Sequence, residues 1–357
     1  MIRKFFKAKM TAIVVMFVSV ALVAIMSGGI VTPSALAEMT LTGETFTPPM
    51  TPPAKIVGPE FNKGLEEATG GQVKTIWHTS SALGPVPELY QRIQTRVIDY
   101  GQFNGGYTPG VFPMSEIFEL PIHFASSETL TKAMIELYKK GYFDKEFGDV
   151  KFLFWYNIGP YQIWSNAKIS SVEDLKGKKL RCPSPPFVEM TKAIGAVPVS
   201  LVGGEIYSAM SKGIIDGTWA CADMAAAFKV AEVSKYVVLT NIGTVTHSWA
   251  MNKDSYAKLP EAGKKYIEAT WEKFSLMGGR LFDEYNEKGF GFARKNNVET
   301  IAWDEAEFKK LDQMIAPVFG DWMAKEDGKG LPGKKALSEL HQALEQLGNK
   351  SPFMMPQ

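Results

Sequence analysis

Little in this sequence offers the chemistry of an enzyme or of a metal site. Its 357 residues include two cysteines and four histidines, and the histidines do not have the spacing of metal ligands. The Gly-x-Ser-x-Gly turn of serine hydrolases, the Walker loop and the His-Glu-x-x-His zinc motif are all missing. The sequence therefore predicts no enzyme, no catalytic residues, no metal and no cofactor.

Neither sign of charge is in excess, with 39 Lys and Arg against 38 Asp and Glu. Without a basic surplus, nucleic acid is not an expected partner. A long apolar run, residues 11–26, follows four basic residues and precedes the small-x-small motif Ala35-Leu36-Ala37. These features predict a cleaved export signal over residues 1–37 and a periplasmic mature protein. The alternative is a retained membrane anchor, for which the apolar run is short.

The residues after the signal are too many for one ordinary hydrophobic core. Strands and helices are predicted to alternate along them, which favours an α/β fold of doubly wound, mostly parallel sheets. No flexible linker is evident, so the chain is expected to cross between two lobes more than once. We predict lobe I over residues 38–160 and about 246–280, and lobe II over 161–245 and about 281–357, with a ligand cleft between them.

A long amphipathic helix is predicted near the C-terminal third of the chain. Apolar residues recur at three- and four-residue spacings over about residues 260–296. A helix of that length spans roughly 50 Å, which is the length of two stacked lobes. We therefore expect this helix to span both lobes.

The segment 170–221 carries the most informative local pattern. Residues 178–182 are predicted to form a strand that ends at Pro183, because proline has no N–H for the ladder. Arg181 then lies at the carboxyl end of a strand, the edge at which open α/β sheets bind ligands. Its guanidinium could hold a carboxylate through two parallel hydrogen bonds. A salt bridge to a surface acid is equally consistent with this position.

The motifs of this segment resemble those of solute-binding proteins of tripartite ATP-independent periplasmic (TRAP) transporters, the DctP-like family. The resemblance covers nearly the whole chain after the signal. It implies a two-lobe periplasmic binding protein of type II-like fold that captures a small organic acid and delivers it to the membrane subunits of a TRAP transporter. The motifs that carry it, in chain order, include Ser81-Ala82-Leu83-Gly84, Glu119-Leu120-Pro121-Ile122, Asp174-Leu175-Lys176-Gly177, Leu180-Arg181, Glu205-x-Tyr207-x-Ala209 and Gly213-Ile214-Ile215-Asp216-Gly217.

The resemblance also implies which residues contact the ligand. Asn104 falls where the family contacts its ligand, although an asparagine before two glycines is also typical of a turn. Ala220 stands where many members carry an asparagine that helps to hold the carboxylate. That role would therefore fall to Arg181 with other donors, such as Ser184. His247 could donate to an anion, or it could be a structural histidine.

Other positions bear on the size of the ligand. Tyr161 lies near the place where members that bind sialic acid carry a second arginine, which argues against a second anionic group. Gly203 replaces a bulkier residue and Trp219 adds a ring, although Trp219 could equally be core packing. With Phe187, these residues predict a bulky, aromatic or branched monocarboxylate rather than a C4-dicarboxylate.

The two cysteines allow two interpretations. The periplasm favours disulfides, and Cys182 and Cys221 each follow a strand that is expected to neighbour the other. A disulfide beside the ligand site and a pair of free thiols are both consistent with the sequence.

Two other functions use the same architecture. One is a periplasmic subunit that presents its closed, liganded form to a sensory receptor. The other is a periplasmic hydrolase acting on the same acid, for which no catalytic motif gives support.

Overall fold

The computed structural model describes residues 38–349, so the predicted export signal lies outside the described residues. The strands are β1 Met39–Thr45, β2 Val73–His78, β3 Tyr100–Asn104, β4 Lys151–Asn157, β5 Tyr161–Ser165, β6 Lys179–Cys182, β7 Val197–Ser200, β8 Gly217–Ala220, β9 Tyr236–Ile242, β10 Thr246–Met251 and β11 Glu299–Ile301. The α-helices are α1 Gly58–Ala68, α2 Leu89–Gln94, α3 Ser127–Lys139, α4 Pro185–Ala193, α5 Ile206–Ser211, α6 Ala222–Ala227, α7 Lys253–Lys258, α8 Glu261–Lys295, α9 Glu305–Gly328 and α10 Gly333–Gln346.

The strands form two sheets, each at the centre of one lobe. The first has the order β2-β1-β3-β10-β4, in which β10 runs antiparallel to its neighbours β3 and β4. The second has the order β11-β9-β5-β8-β6-β7, in which β5 is antiparallel to β8 and β9. The remaining strand pairs in both sheets are parallel. The predicted two-lobe α/β fold is confirmed, but the sheets are mixed: two of the four strand pairs in the first sheet and three of the five in the second are parallel.

The chain passes between the two sheets more than once. It leaves the first sheet after β4 and enters the second at β5, and it returns between β9 and β10. The long helix α8 then packs against α1, α3 and β4 of the first lobe and against α6 of the second. The predicted helix that spans both lobes is therefore present. Among residues 38–349, no helix combines the length and the apolar character that crossing a membrane requires.

Two glycines allow α8 to approach both lobes closely. A Cβ at Gly278 would lie 2.1 Å from the ring of Tyr156 on β4, and a Cβ at Gly289 would lie 2.2 Å from the carbonyl oxygen of Ala222 on α6. Larger side chains at these positions would push the helix away from the first sheet or from α6. The glycines thus fix the helix against the two lobes.

The last two helices return to the first lobe. Helix α9 begins against α4 of the second lobe, and further along it the indole of Trp322 donates to the carbonyl oxygen of Pro113 over 3.3 Å. Helix α10 packs against α3, where Lys140 and Glu339 form an ion pair of 2.9 Å. The sequence analysis assigned residues 281–357 to lobe II, whereas these contacts attach α10 to lobe I. A polar-faced helix carries no sequence signal for which lobe it will cover.

A buried ion pair lies at the carboxyl end of β1 in the first sheet. Glu44 on β1 is fully buried, and its Oε2 lies 2.6 Å from Nη2 of Arg92 on α2. The second carboxylate oxygen accepts from the backbone N–H of Leu83 over 2.7 Å, and Arg92 also donates to the Pro85 carbonyl over 2.8 Å. Both charges are therefore neutralised within the chain.

Candidate functional site

Arg181 is held at the end of β6 by neutral groups. Its side chain is fully buried. Nε donates to the carbonyl oxygen of Leu201 over 2.8 Å, and Nη1 donates to the carbonyl oxygen of Trp219 over 3.2 Å. Nη2 donates to the hydroxyl of Tyr107 over 3.1 Å, and Tyr107 belongs to the first lobe.

In the described part of the chain, no acidic side chain forms an ion pair with this guanidinium. None of the ion pairs formed within residues 38–349 includes Arg181. The alternative of a surface salt bridge is therefore wrong, because the residue is neither exposed nor paired. A buried cation that lacks a counter-charge favours the arrival of an anion. That Arg181 binds a carboxylate remains a prediction.

The two lobes meet beside Arg181. Gly106 of the first lobe lies against Ser184 of the second, and a Cβ at Gly106 would be 2.5 Å from the Ser184 Cβ. The N–H of Gly243 donates to the carbonyl oxygen of Ile122 over 3.0 Å. These contacts, with the Arg181–Tyr107 hydrogen bond, describe a closed arrangement of the lobes.

A small cavity of about 20 Å³ lies between the lobes in this closed arrangement. It is lined by residues of both sheets and of α6 and α8: Phe46, Thr47, Thr51, Asn104, Tyr107, Ile158, Tyr161, Asp223, Met224, Ala227, Phe228, Val245, His247 and Phe282. Three of the predicted site residues, Asn104, Tyr161 and His247, are among them. Ser184 instead lines an open groove, which shares Tyr107 with the cavity. That the ligand touches these residues remains a prediction.

His247 lines the cavity as an uncharged histidine. Its ring packs edge-on against Phe46 at 5.3 Å and against Phe282 at 5.6 Å between centroids. Burial lowers the pKa of His247 to about 3, so the imidazole is uncharged at neutral pH. Nδ1 has no hydrogen-bond partner among the described residues. A neutral imidazole can donate one hydrogen bond and accept one, so His247 does not act as a second cation.

Asn104 and Glu119 are polar groups of the first lobe at the same junction. The Asn104 side chain caps the turn that follows β3, because its Oδ1 accepts from the Gly106 N–H over 2.8 Å. Both interpretations of Asn104 are thus compatible, since it caps a turn and also lines the cavity. Burial raises the pKa of Glu119 to about 7, although the Ser184 hydroxyl and the Thr246 N–H act in the opposite direction.

Trp219 and Phe187 lie behind the cavity rather than in its wall. Trp219 is fully buried, and its indole donates to the Thr191 hydroxyl over 2.9 Å. Phe187 packs between Trp219, at 5.8 Å, and Tyr161, at 5.0 Å between ring centroids. Trp219 also supplies a carbonyl to Arg181. Both residues thus support Arg181 and Tyr161 from the core, and direct contact with a ligand remains a prediction for them.

The space left by Gly203 is filled from within the protein. A Cβ there would lie 3.0 Å from Met224 Cε and 3.0 Å from the ring of Phe228. Both side chains line the cavity. The missing side chain thus lets Met224 and Phe228 form the cavity wall, rather than simply enlarging the cavity.

The two cysteines are free thiols. Strands β6 and β8 are neighbours, as predicted, but their register pairs Arg181 with Thr218. Cys221 therefore lies further along its strand direction than Cys182. The Cys182 thiol instead contacts the Thr191 hydroxyl at 3.2 Å. Of the two interpretations that the sequence left open, the disulfide is not formed.

Asp223 is a cavity residue that the sequence analysis missed. It lies in the first turn of α6 and is 7% exposed. Burial raises the pKa of its carboxyl to about 7, against the attraction of Lys288. A signal was available, because Asp223 is the one charged residue in the apolar stretch that follows the carboxyl end of β8.

Known proteins with a similar sequence or structure were compared with this chain. The family model described as bacterial extracellular solute-binding protein, family 7 (DctP), matches residues 44–326. A solute-binding protein of Verminephrobacter eiseniae is 26% identical over 79% of this chain and 83% of its own length. The ectoine-binding periplasmic protein TeaA of Halomonas elongata is 28% identical over 52% of this chain and 56% of its own length.

Solved structures agree with these matches. A TRAP solute-binding protein of Rhodoferax ferrireducens, crystallised with copurified benzoate, has a TM-score of 0.82 and 27% identity, covering 87% of this chain and 98% of that chain. A marine metagenome TRAP solute-binding protein specific for aromatic acids has a TM-score of 0.82 and 25% identity, covering 87% and 99%. The match over most of the sequence and the shared two-lobe fold lead to one conclusion: this chain belongs to family 7 of the bacterial extracellular solute-binding proteins, the DctP family of TRAP receptors.

Proposed function

We propose that this protein is a periplasmic receptor that closes on an aromatic or branched monocarboxylate and delivers it to the membrane subunits of a TRAP transporter. The observation that carries the proposal is the fully buried Arg181, which has three neutral acceptors and, among residues 38–349, no acidic partner. An entering carboxylate would supply the missing charge.

The apolar part of the ligand is inferred from the cavity. Phe46, Tyr161, Phe228 and Phe282 present rings to it, and apolar and aromatic linings are typical of small-molecule sites. Two structural relatives bind benzoate or other aromatic acids. Arg181 is not among the residues that line the cavity, but it donates to Tyr107, which does line it. The ligand would therefore place one carboxylate beside Tyr107, within reach of Arg181, and its ring or branched chain among the rings of the cavity.

The proposal involves no chemical conversion of the ligand. Family membership supports a binding protein, and the predicted export signal over residues 1–37 supports a periplasmic location. Closure of the lobes around the acid would then be the state that the membrane subunits recognise.

The proposal is tested by identifying what the protein binds. Mass analysis of protein purified from its native host should reveal a copurified aromatic or branched monocarboxylic acid. In a thermal-shift screen, benzoate and branched 2-oxo acids should raise the melting temperature more than succinate or malate. Stabilisation by succinate or malate with no response to the monocarboxylates would contradict the proposal.

A further inference from the structure

The cavity contains a carboxyl group that has no hydrogen-bond donor among residues 38–349. Asp223 is only 7% exposed and lines the cavity. Within the described residues, its carboxylate takes part in no hydrogen bond and no ion pair; its backbone N–H, by contrast, donates to Asn286 Oδ1 over 3.1 Å. Buried polar side chains normally have a partner, and a missing one calls for an explanation.

The position of α6 does not supply that explanation. Helix α6 has six residues, so its dipole offers an acidic side chain little stabilisation. Its first turn is fixed by α8 through Asn286 and the close approach at Gly289, so Asp223 is not needed to anchor it. Lys288 attracts the carboxyl at a distance but forms no ion pair with it in the described part of the chain. An acid with a purely structural role would be expected to have a donor.

Two further polar groups that line the cavity lack hydrogen-bond partners among the described residues. No residue in the described part of the chain accepts a hydrogen bond from the NH₂ group of Asn104, whose Oδ1 is used by Gly106. His247 Nδ1 is buried without a partner. The cavity therefore presents an acceptor in Asp223, a donor in Asn104, and in His247 a ring that can serve as either, depending on its tautomer.

We propose that Asp223 accepts a hydrogen bond from a hydroxyl group of the ligand, so that the ligand is a hydroxylated acid rather than a plain aromatic or aliphatic one. A hydroxyl both donates and accepts, so it can satisfy Asp223 and take a hydrogen bond from Asn104 or His247. An ammonium group has only donors and would leave the Asn104 donor unused. This inference rests on the proposed function, because it assigns the second polar contact of the same ligand.

The test compares benzoate with 3-hydroxybenzoate and 4-hydroxybenzoate by calorimetry. The wild-type protein should bind at least one hydroxybenzoate about ten- to a hundredfold more tightly than benzoate, because benzoate leaves the buried acceptor without a donor. Asp223→Leu should bring that ratio close to one, mainly by weakening hydroxybenzoate binding. Asp254→Leu is the matched control, since Asp254 is also an acidic residue in the first turn of a six-residue helix but is exposed and does not line the cavity, so the ratio should be kept.

Each other outcome counts against a different part of the argument. Benzoate binding with a hydroxyl preference that survives Asp223→Leu would overturn the role of Asp223 and leave the proposed function standing. Tighter binding of 3-(aminomethyl)benzoate than of either hydroxybenzoate would overturn the hydroxyl assignment. Failure of all these acids to bind the wild type would overturn the proposed function and this inference together. Asp223→Ala provides a second variant should Asp223→Leu fold poorly.

Discussion

Two buried arginines, one in each lobe, differ in whether an acidic side chain in the described part of the chain neutralises their charge. Arg92 in the first lobe is 7% exposed, and its guanidinium lies 2.6 Å from the Glu44 carboxylate. Arg181 in the second lobe is fully buried and donates to two carbonyls and one hydroxyl. The first charge is neutralised within the chain. The second charge has only neutral partners among residues 38–349.

The difference matters because a buried charge is costly without a partner. At Arg92 the chain itself supplies the partner, so the pair belongs to the folded structure. At Arg181 the cost is reduced by three neutral acceptors and is fully offset once an anion arrives. Sites that break a local rule of folding are often the functional ones, which supports the proposed role of Arg181.

The largest expected effect is on ligand binding at Arg181. Arg181→Met should weaken carboxylate binding by roughly 3–5 kcal/mol, the usual cost of orphaning one half of a buried ion pair. That corresponds to about a hundred- to several-thousandfold in affinity. Arg181→Lys should recover part of the loss, since a single ammonium cannot reproduce the two parallel bonds of the fork. Calorimetry with the acid identified in the screen measures both.

The same variant should behave differently in folding. Arg181→Met removes the donor to the buried Leu201 and Trp219 carbonyls, but it also removes a buried charge that has no acidic partner among residues 38–349. Because these effects oppose each other, the free energy of unfolding of the ligand-free protein should change little. A loss of affinity below tenfold would show that the carboxylate is held elsewhere. A large loss of stability would show that Arg181 belongs to the folding core, as Arg92 does.

The matching substitution in the first lobe should show the reverse. Arg92→Met leaves Glu44 fully buried without its cation, which should lower the free energy of unfolding by about 3 kcal/mol. We expect the lower end of the usual range because Glu44 keeps the hydrogen bond from the Leu83 N–H. Urea denaturation measures the loss, and ligand affinity should stay unchanged in the folded variant. Arg96→Met, at a partly exposed arginine, is the control.

The sequence predicted the position of Arg181 and the long helix, but not the partners of Arg181. The position of Arg181 follows from local features: a short strand, a proline that ends it and the geometry of α/β sheets. The long helix likewise follows from a periodic apolar pattern, and the structure has it at Glu261–Lys295. These features depend on neighbours in the sequence, which is why they were accessible.

The partners of Arg181 depend instead on long-range packing. Tyr107 is 74 residues away along the chain and meets Arg181 because the lobes are closed. Asp223 reaches the cavity because Asn286 and Gly289 of α8 fix the start of α6. Strand alternation alone also does not reveal that Trp219 packs behind the cavity rather than in its wall. No local sequence pattern predicts such contacts between residues that are far apart in the chain.

A buried carboxyl without a cation extends the comparison from arginines to acids. Glu146 accepts from the Ser115 N–H at 3.1 Å and the Ser115 hydroxyl at 2.5 Å. Burial raises the pKa of Glu146 to about 7, although these donors act in the opposite direction. The folded state therefore binds more protons than the unfolded state between about pH 4.5 and 7. The stability that Glu146 contributes is complete below this range and is lost as the pH rises through it.

Glu146→Gln should remove this dependence. Relative to the wild type, the variant should gain free energy of unfolding, on the order of 3 kcal/mol, between pH 4.5 and 8. Glu119 and Asp223 have pKa values raised in the same way. The variant should therefore still lose some stability as the pH rises, but less than the wild type. Urea denaturation across this pH range is the measurement. Parallel pH profiles for the two proteins would mean that Glu146 does not titrate there.

The smallest effect is expected for an ion pair of comparable length at the surface. Lys168 and Glu299 lie 2.9 Å apart, close to the 2.6 Å of Arg92 and Glu44, but their side chains are 55% and 54% exposed. Water and salt screen exposed pairs, and holding two long side chains costs conformational entropy. Lys168→Ala should therefore cause no resolvable change in the urea midpoint at physiological salt. A loss as large as that of Arg92→Met would mean that distance, rather than burial, decides what an ion pair contributes in this protein.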